Sequence, residues 1–249
     1  AQGRMMPEAL EAALRQSRAS GAHPFFVAAT AGTTVLGAFD PIDALANLCE
    51  AEGLWLHVDG AWGGSVAVSE RLKHLIHGSD RADSFTWDQH KMMGMPMICS
   101  SILFRQKGTL EALNHVGGGD YIFHDSLSGV PNLGPLSLQC GRRNDALKLW
   151  LAWRCYGRKG FAQRIEYLFD LAQAFAKRLD AHPQFERVAP VASLNLCFRF
   201  VPDATWDATR VDRLNLEARE HLAKTGVALV NYAQVQGVML ASVVFRGEN

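Results

Sequence analysis

Residues 25–59 read FFVAATAGTTVLGAFDPIDALANLCEAEGLWLHVD, and their pattern decides the fold. The run at 25–30 is short, apolar and rich in strand formers. After a Gly-Thr-Thr turn, Asp40-Pro41 opens a stretch with Ile42, Leu45, Leu48 and Cys49 on one side, the spacing of a capped helix packed on a sheet. Gly53 ends it, and 54–59 reads as a second buried strand. Strand, helix and strand within about 35 residues is the length of a right-handed parallel crossover, so the expected architecture is α/β.

Working outward, Pro7, Leu10, Ala13, Leu14 and Gly21 predict a helix over 6–19. Residues 84–88 and 99–104 are two further strands, and 114–136, lacking periodicity, reads as a long loop of the kind that often serves function. Residues 145–156 read as a helix. Phe161, Ile165, Leu168, Ala172, Phe175, Ala176 and Leu179 then form the stripe of a long amphipathic one. A strand at 195–201, a helix near 211–224 and strands near 228–232 and 238–245 complete a second, smaller α/β unit. The expected domains are 1–150 and 151–249, divided near Trp150.

The 249 residues, 48% apolar and 20% charged, suffice for a sizeable core and argue against disorder. Lys+Arg and Asp+Glu balance at 25 each, so no summed field draws nucleic acid or an anionic membrane, and neither partner is expected. Cys49, Cys99, Cys140, Cys155 and Cys197 are scattered without a Cys-x-x-Cys pair, which fits a reducing, cytoplasmic compartment. No signal peptide is read in 1–10, and Ala1 in place of Met suggests a processed end, a fragment or an unseen beginning. The apolar stretch 227–245 is broken by Asn231, Gln234, Gln236 and Gly237, a pattern of two strands and a turn and not of a membrane helix.

In an open α/β sheet, ligands bind outside the carboxyl ends of the strands, where Asp59 and Lys91 fall. Taken singly, an Asp at a strand end is a turn residue and a lone Lys a solvated charge. Here Asp59 precedes Gly60-Ala61-Trp62-Gly63-Gly64, small residues expected to admit a flat ligand to the backbone. Lys91 lies among Trp87, Met92 and Met93, an apolar setting expected to favour the nucleophilic amine. An amine nucleophile with a buried carboxylate suits pyridoxal phosphate: the lysine holds the aldehyde as a Schiff base, and the Asp keeps the pyridine nitrogen protonated so that the ring accepts carbanion electrons.

Four ordered blocks, TAGTTVLGAFD at 30–40, LWLHVDGAWGG at 54–64, DQHKMMG at 88–94 and QCGR at 139–142, give the chain a family likeness. It resembles the group II pyridoxal-phosphate-dependent amino-acid decarboxylases, particularly the glutamate and cysteine-sulfinate decarboxylases. The resemblance implies a type I pyridoxal-phosphate transferase fold, with a large domain on a mostly parallel sheet, its N-terminal part lying before these residues, and a smaller C-terminal domain. It makes Lys91 the Schiff-base lysine, Asp59 the partner of the pyridine nitrogen, Ala61 the surface under the ring, Thr34 a neighbour of ring and substrate carboxylate, and His90 and Asp88 the phosphate contacts. The family usually has Asn where Asp88 stands, and some bacterial relatives share the Asp, so Asp88 reads as a variant.

Two other positions depart from the family. Its loop tyrosine falls at Leu127, with Tyr121 and His124 as substitutes in the same loop, and its substrate-gripping arginine falls at Ala241, with Arg246 nearby. Complete members carry a long segment before Met5 and a helix beyond Asn249, so the resemblance covers about half of one. It further implies a homodimer. Trp62, Met92 and Met93 match the acidic-substrate branch, hence glutamate, cysteine sulfinate or aspartate as the amino acid that loses carbon dioxide. The alternatives are an aldehyde-forming or transaminating enzyme, or a truncated member acting only as a binding module.

Other readings are weaker. His57 and Asp59, with His74 and His77, could suggest a metal, but strand alternation is read as separating the first two, and no metal is expected. Ser65 lacks the Gly-x-Ser-x-Gly frame, and Gly117-Gly118-Gly119 lacks the rest of a dinucleotide loop.

Overall fold

Alternation along two strands places Val27 and Ala29 of β1 (Phe26–Thr30) and Leu56 and Val58 of β2 (Trp55–Asp59) in one core, while Phe26 is left exposed. The computed structural model describes residues 2–116, 133–137, 143–235 and 238–244. β1 pairs with β2, and β2 with β3 (Ser84–Asp88), both parallel; β4 (Ser100–Phe104) returns antiparallel to β3, giving the sheet order β1-β2-β3-β4. Register sets Thr30 beside Asp59 and Asp59 beside Thr86. The carboxyl ends of three parallel strands therefore form one edge.

Helix α1 (Pro7–Ala19) precedes the sheet, and α2 (Ile42–Glu52) makes the β1-to-β2 crossover, burying Ile42, Leu45, Ala46 and Cys49. Gly53, at φ 65°, closes α2 in the left-handed conformation that suits glycine, its N–H donating to the Cys49 carbonyl. Asp40 does not cap α2 as expected. Its buried carboxylate accepts from the Thr30 N–H at 2.7 Å and the Met5 N–H at 2.6 Å, joining the N-terminal segment to the end of β1.

The long helix α4 (Asp145–Asp180), which follows α3 (Thr109–Val116), is two helices across a kink. Gly157 interrupts it at φ 60°, ψ 180°, a conformation almost confined to glycine. Beyond the kink, Phe161, Ile165, Leu168 and Phe169 join the core of the first sheet. Ala172, Ala176 and Leu179 pack instead with Leu196 under the second sheet. That sheet has the order β5-β6-β8-β7, formed by β5 (Phe185–Arg187), β6 (Asn195–Phe200), β7 (Asn231–Val235) and β8 (Val238–Val244).

All its pairs are antiparallel, so the smaller unit is a helix-backed antiparallel sheet and not a second set of parallel crossovers. β5 was not expected, because three residues carry too little alternation. β7 starts three residues later than its pattern predicts. Gly226 ends α5 (Ala208–Thr225), and the Val227 N–H still reaches back to the Leu222 carbonyl at 3.1 Å, which delays extension. Among the described residues no helix is long and apolar enough to cross a membrane.

Candidate active site

Asp59 ends β2 with its side chain exposed, and its Oδ1 accepts the Ala61 N–H at 3.0 Å, the local turn of a strand-end Asp. The glycines that follow face protein. A Cβ on Gly60 would lie 2.4 Å from the Phe85 ring, one on Gly63 2.5 Å from the Ala31 carbonyl, and one on Gly64 2.8 Å from Phe85. They are required by internal packing, which corrects the expectation that they open the backbone to a ligand. Ala61 is the half-buried member of this turn, and Trp62 is buried.

Lys91 sits in a tight turn just beyond β3, where the Lys91 N–H donates to the Asp88 carbonyl and the Gly94 N–H to the Lys91 carbonyl, each at 3.1 Å. Met92 and Met93 turn into the core at 1% and 4% exposure, whereas the Lys91 side chain is 39% exposed. Its Nζ lies 2.9 Å from Asp88 Oδ2. The ammonium is thus held by a carboxylate and not by the apolar setting expected, since the flanking methionines point away from it.

His90 Nε2 lies 3.9 Å from the same Asp88 oxygen, and His90 Nδ1 lies 2.9 Å from the Cys99 carbonyl oxygen and 3.1 Å from the Cys99 nitrogen. Buried Gln89 braces this turn from inside, its amide oxygen accepting from Ser101 Oγ at 2.9 Å and its nitrogen donating to the carbonyls of Trp87 and Cys99. Asp88 and His90, the residues expected at a phosphate, are therefore joined to Lys91 through one carboxylate.

Thr34 is exposed in the turn after β1, and its carbonyl accepts from Asn195 Nδ2 at 2.8 Å. Asn195 was not singled out from sequence, although a buried Asn at the start of a strand is a signal in itself, since strands disfavour it. His57 and Asp59, two apart, share one face of β2; the reading that alternation separates them was wrong. His57 Nδ1 lies 2.8 Å from Ser84 Oγ and Nε2 3.2 Å from Thr86 Oγ1, so both ring nitrogens have hydroxyl partners. Burial lowers the His57 pKa, and the nearby Asp59 charge opposes that shift. Among the described residues no three His, Cys, Asp or Glu side chains gather as a metal would need.

Tyr121, His124, Leu127, the block 139–142 and Arg246 lie outside the described residues. Ala241 lies in β8, opposite Phe198 and Tyr232. A cleft of about 650 Å³ between the start of α2 and residues 189–192 is lined by none of the six residues named for the cofactor. Those six lie instead on the carboxyl edge of the first sheet and in the turns leaving it, a topological position where open α/β sheets bind ligands.

Comparison with known proteins follows the same lines. Human cysteine sulfinic acid decarboxylase is 39% identical over 239 residues, a match covering 92% of this chain and 48% of that protein. The L-aspartate decarboxylase dtxS4 of Metarhizium robertsii is 42% identical over 203 residues, covering 80% and 40%. The crystal structure of mouse CSAD superposes with a TM-score of 0.90 at 35% identity, over 98% of this chain and 52% of that one. The chain thus spans about half the length of the curated relatives it matches. Residues 1–201 also match the model of the pyridoxal-dependent decarboxylase conserved domain. With the family model matching most of the chain and the structural likeness extending over 98% of it, the chain belongs to the pyridoxal-dependent decarboxylase family.

Proposed function

We propose that the full-length protein is a pyridoxal-phosphate-dependent carboxy-lyase acting on a small acidic amino acid: cysteine sulfinate, aspartate or glutamate. The observation that carries this reading is the common edge on which the parallel register sets Thr30 beside Asp59 and Asp59 beside Thr86, with Thr34 and Ala61 in the turns leaving β1 and β2 and Lys91 in the turn leaving β3. The donor set fits the cofactor. Lys91 offers a part-exposed amine to an aldehyde, Asp59 an exposed carboxylate to a ring N–H, and half-buried Ala61 an apolar surface. Pyridoxal phosphate, when bound, supplies the ring that accepts the electrons left as carbon dioxide departs.

The protein's own residues do the rest. With the cofactor bound, the Asp59 carboxylate would hold a proton at the ring nitrogen through a charge-assisted contact. Lys91 Nζ would hold the cofactor's aldehyde only as the neutral amine, so it must first leave its contact with Asp88 Oδ2. Asp88 in turn also faces His90, whose ring is fixed by the Cys99 backbone.

The reading extends to a cytoplasmic homodimer. Free Cys49, Cys99 and Cys155 support a reducing compartment, and exposed Leu147, Trp150 and Leu151 on the first half of α4 support burial against another surface. The names of the relatives, which act on cysteine sulfinic acid and L-aspartate, support the substrate class. The test is carbon dioxide release by the full-length protein supplied with pyridoxal phosphate and a panel of acidic and aromatic amino acids, with mass determined by light scattering. Release confined to acidic members from a dimer is expected. An aldehyde or oxo-acid product, or turnover of aromatic members alone, contradicts it.

A further inference from the structure

Asn195 opens β6 in the smaller unit, yet its side chain works at the carboxyl edge of the first sheet. It is 2% exposed, and Ser193 beside it is 1% exposed. Its Nδ2 donates to the Thr34 carbonyl at 2.8 Å and the Val35 carbonyl at 3.1 Å. Its Oδ1 accepts from Trp62 Nε1 at 2.9 Å and from Ser193 Oγ at 3.3 Å. Carbonyls only accept and an indole N–H only donates, so the orientation of the amide is dictated and all of its hydrogen-bonding capacity is used.

The two segments that Asn195 joins are the turns leaving β1 and β2. The first, 31–38, is closed by its own bonds: the Gly32 and Thr33 N–H groups donate to the Ala38 carbonyl, and the Gly37 N–H to the Thr33 carbonyl. The second runs from Asp59 through Ala61 to Trp62. Space around the junction is filled. A Cβ on Gly37 would lie 2.8 Å from Ser193 Oγ and 3.0 Å from Asn195 Oδ1, and one on Gly32 would lie 2.8 Å from Trp62 Cδ1.

We infer that Asn195 is a positioning residue of the candidate active site. From the smaller unit it sets the placement of the Thr34 turn against the Asp59–Trp62 turn, and so the spacing between the groups that face the two ends of the ring. This rests on the reading of Thr34, Asp59 and Ala61 as cofactor neighbours. Two features of the amide are separable. Trp62→Phe removes the indole donor to Asn195 Oδ1 and Ser193 Oγ, with part of the ring's volume, and leaves the bonds to Thr34 and Val35, whereas Asn195→Asp keeps the volume but turns a carboxylate oxygen toward two carbonyl oxygens.

The test compares full-length unsubstituted protein, Asn195→Asp, Asn195→Ala and Trp62→Phe by amide hydrogen exchange without cofactor, and by the dissociation constant for pyridoxal phosphate from its visible band. Losing two hydrogen bonds should speed exchange in 32–38 about tenfold in both Asn195 variants while α1 and α5 stay unchanged. The dissociation constant should rise about tenfold in those variants and, because Trp62→Phe cuts the same link at its other end, severalfold in Trp62→Phe, in which exchange at 32–38 should stay within about twofold of the unsubstituted protein. Unchanged exchange at 32–38 in the Asn195 variants, faster exchange throughout the chain, equally fast exchange at 32–38 in Trp62→Phe and Asn195→Asp, or a dissociation constant unchanged in the Asn195 variants would each overturn the assignment and leave Asn195 a packing residue. The exchange experiment needs no cofactor. Absence of any pyridoxal phosphate band in the unsubstituted protein would therefore count against the proposed function alone, with exchange at 32–38 still deciding whether Asn195 orders the turn.

Discussion

Asp88 is the residue whose position says most about the chemistry of Lys91, because one of its oxygens lies 2.9 Å from Nζ and 3.9 Å from His90 Nε2. A partly exposed pair of this kind is worth about 0.2–1 kcal/mol. Asp88→Asn frees the amine and removes a negative charge from the region read as the phosphate end. Pyridoxal phosphate should then bind up to about fivefold more tightly in a visible-absorbance titration; unchanged or weaker binding contradicts the pairing. His57 gives a pH signature. Its folded pKa is lowered by burial, so on acidification the unfolded chain takes up a proton at this ring before the folded chain does. The stability at stake is complete above about pH 6.5 and is lost as pH falls through the window below it. His57→Gln should show a shallower fall in melting temperature from about pH 7 to pH 5 than the unsubstituted protein, and parallel curves would contradict the assignment.

Elements differ in how much of themselves they carry locally. β1, α2 and β2 were legible because alternation, an apolar helical stripe and a left-handed Gly53 all lie within 35 residues, and each survives in the structure within one or two positions. The break in α4 was legible as two helical patterns, and its physical cause is the backbone of Gly157. Gly157→Ala should cost about 1–3 kcal/mol in chemical denaturation, because a Cβ is strained at that φ and ψ; a neutral substitution would mean that the kink is not required. Of the site, Asp59 and Lys91 were legible as strand-end residues. The roles of Gly60, Gly63 and Gly64 were not, because Phe85 and the Ala31 carbonyl that need their space arrive from other strands. The role of Asn195 was not legible for the same reason: Trp62, Thr34 and Val35, which it joins, stand 133 to 161 residues away in the chain.

At the scale of the whole molecule, two sheets of different construction share one long helix. The mostly parallel sheet supplies the edge that carries Asp59 and the turn to Lys91, and the antiparallel sheet returns Asn195 to that edge. α4 joins the two, with Phe161 and Ile165 in one core and Ala172 and Ala176 in the other. The function proposed for this edge therefore requires that it bind an aldehyde cofactor through Lys91. The direct measurement is the visible absorption spectrum of the protein with pyridoxal phosphate, beside Lys91→Ala, before and after borohydride reduction and with mass mapping of the peptide that carries Lys91. The predicted result is a band that borohydride fixes to Lys91 and that Lys91→Ala lacks. A band of equal strength in both proteins, or fixation at another lysine, would contradict it.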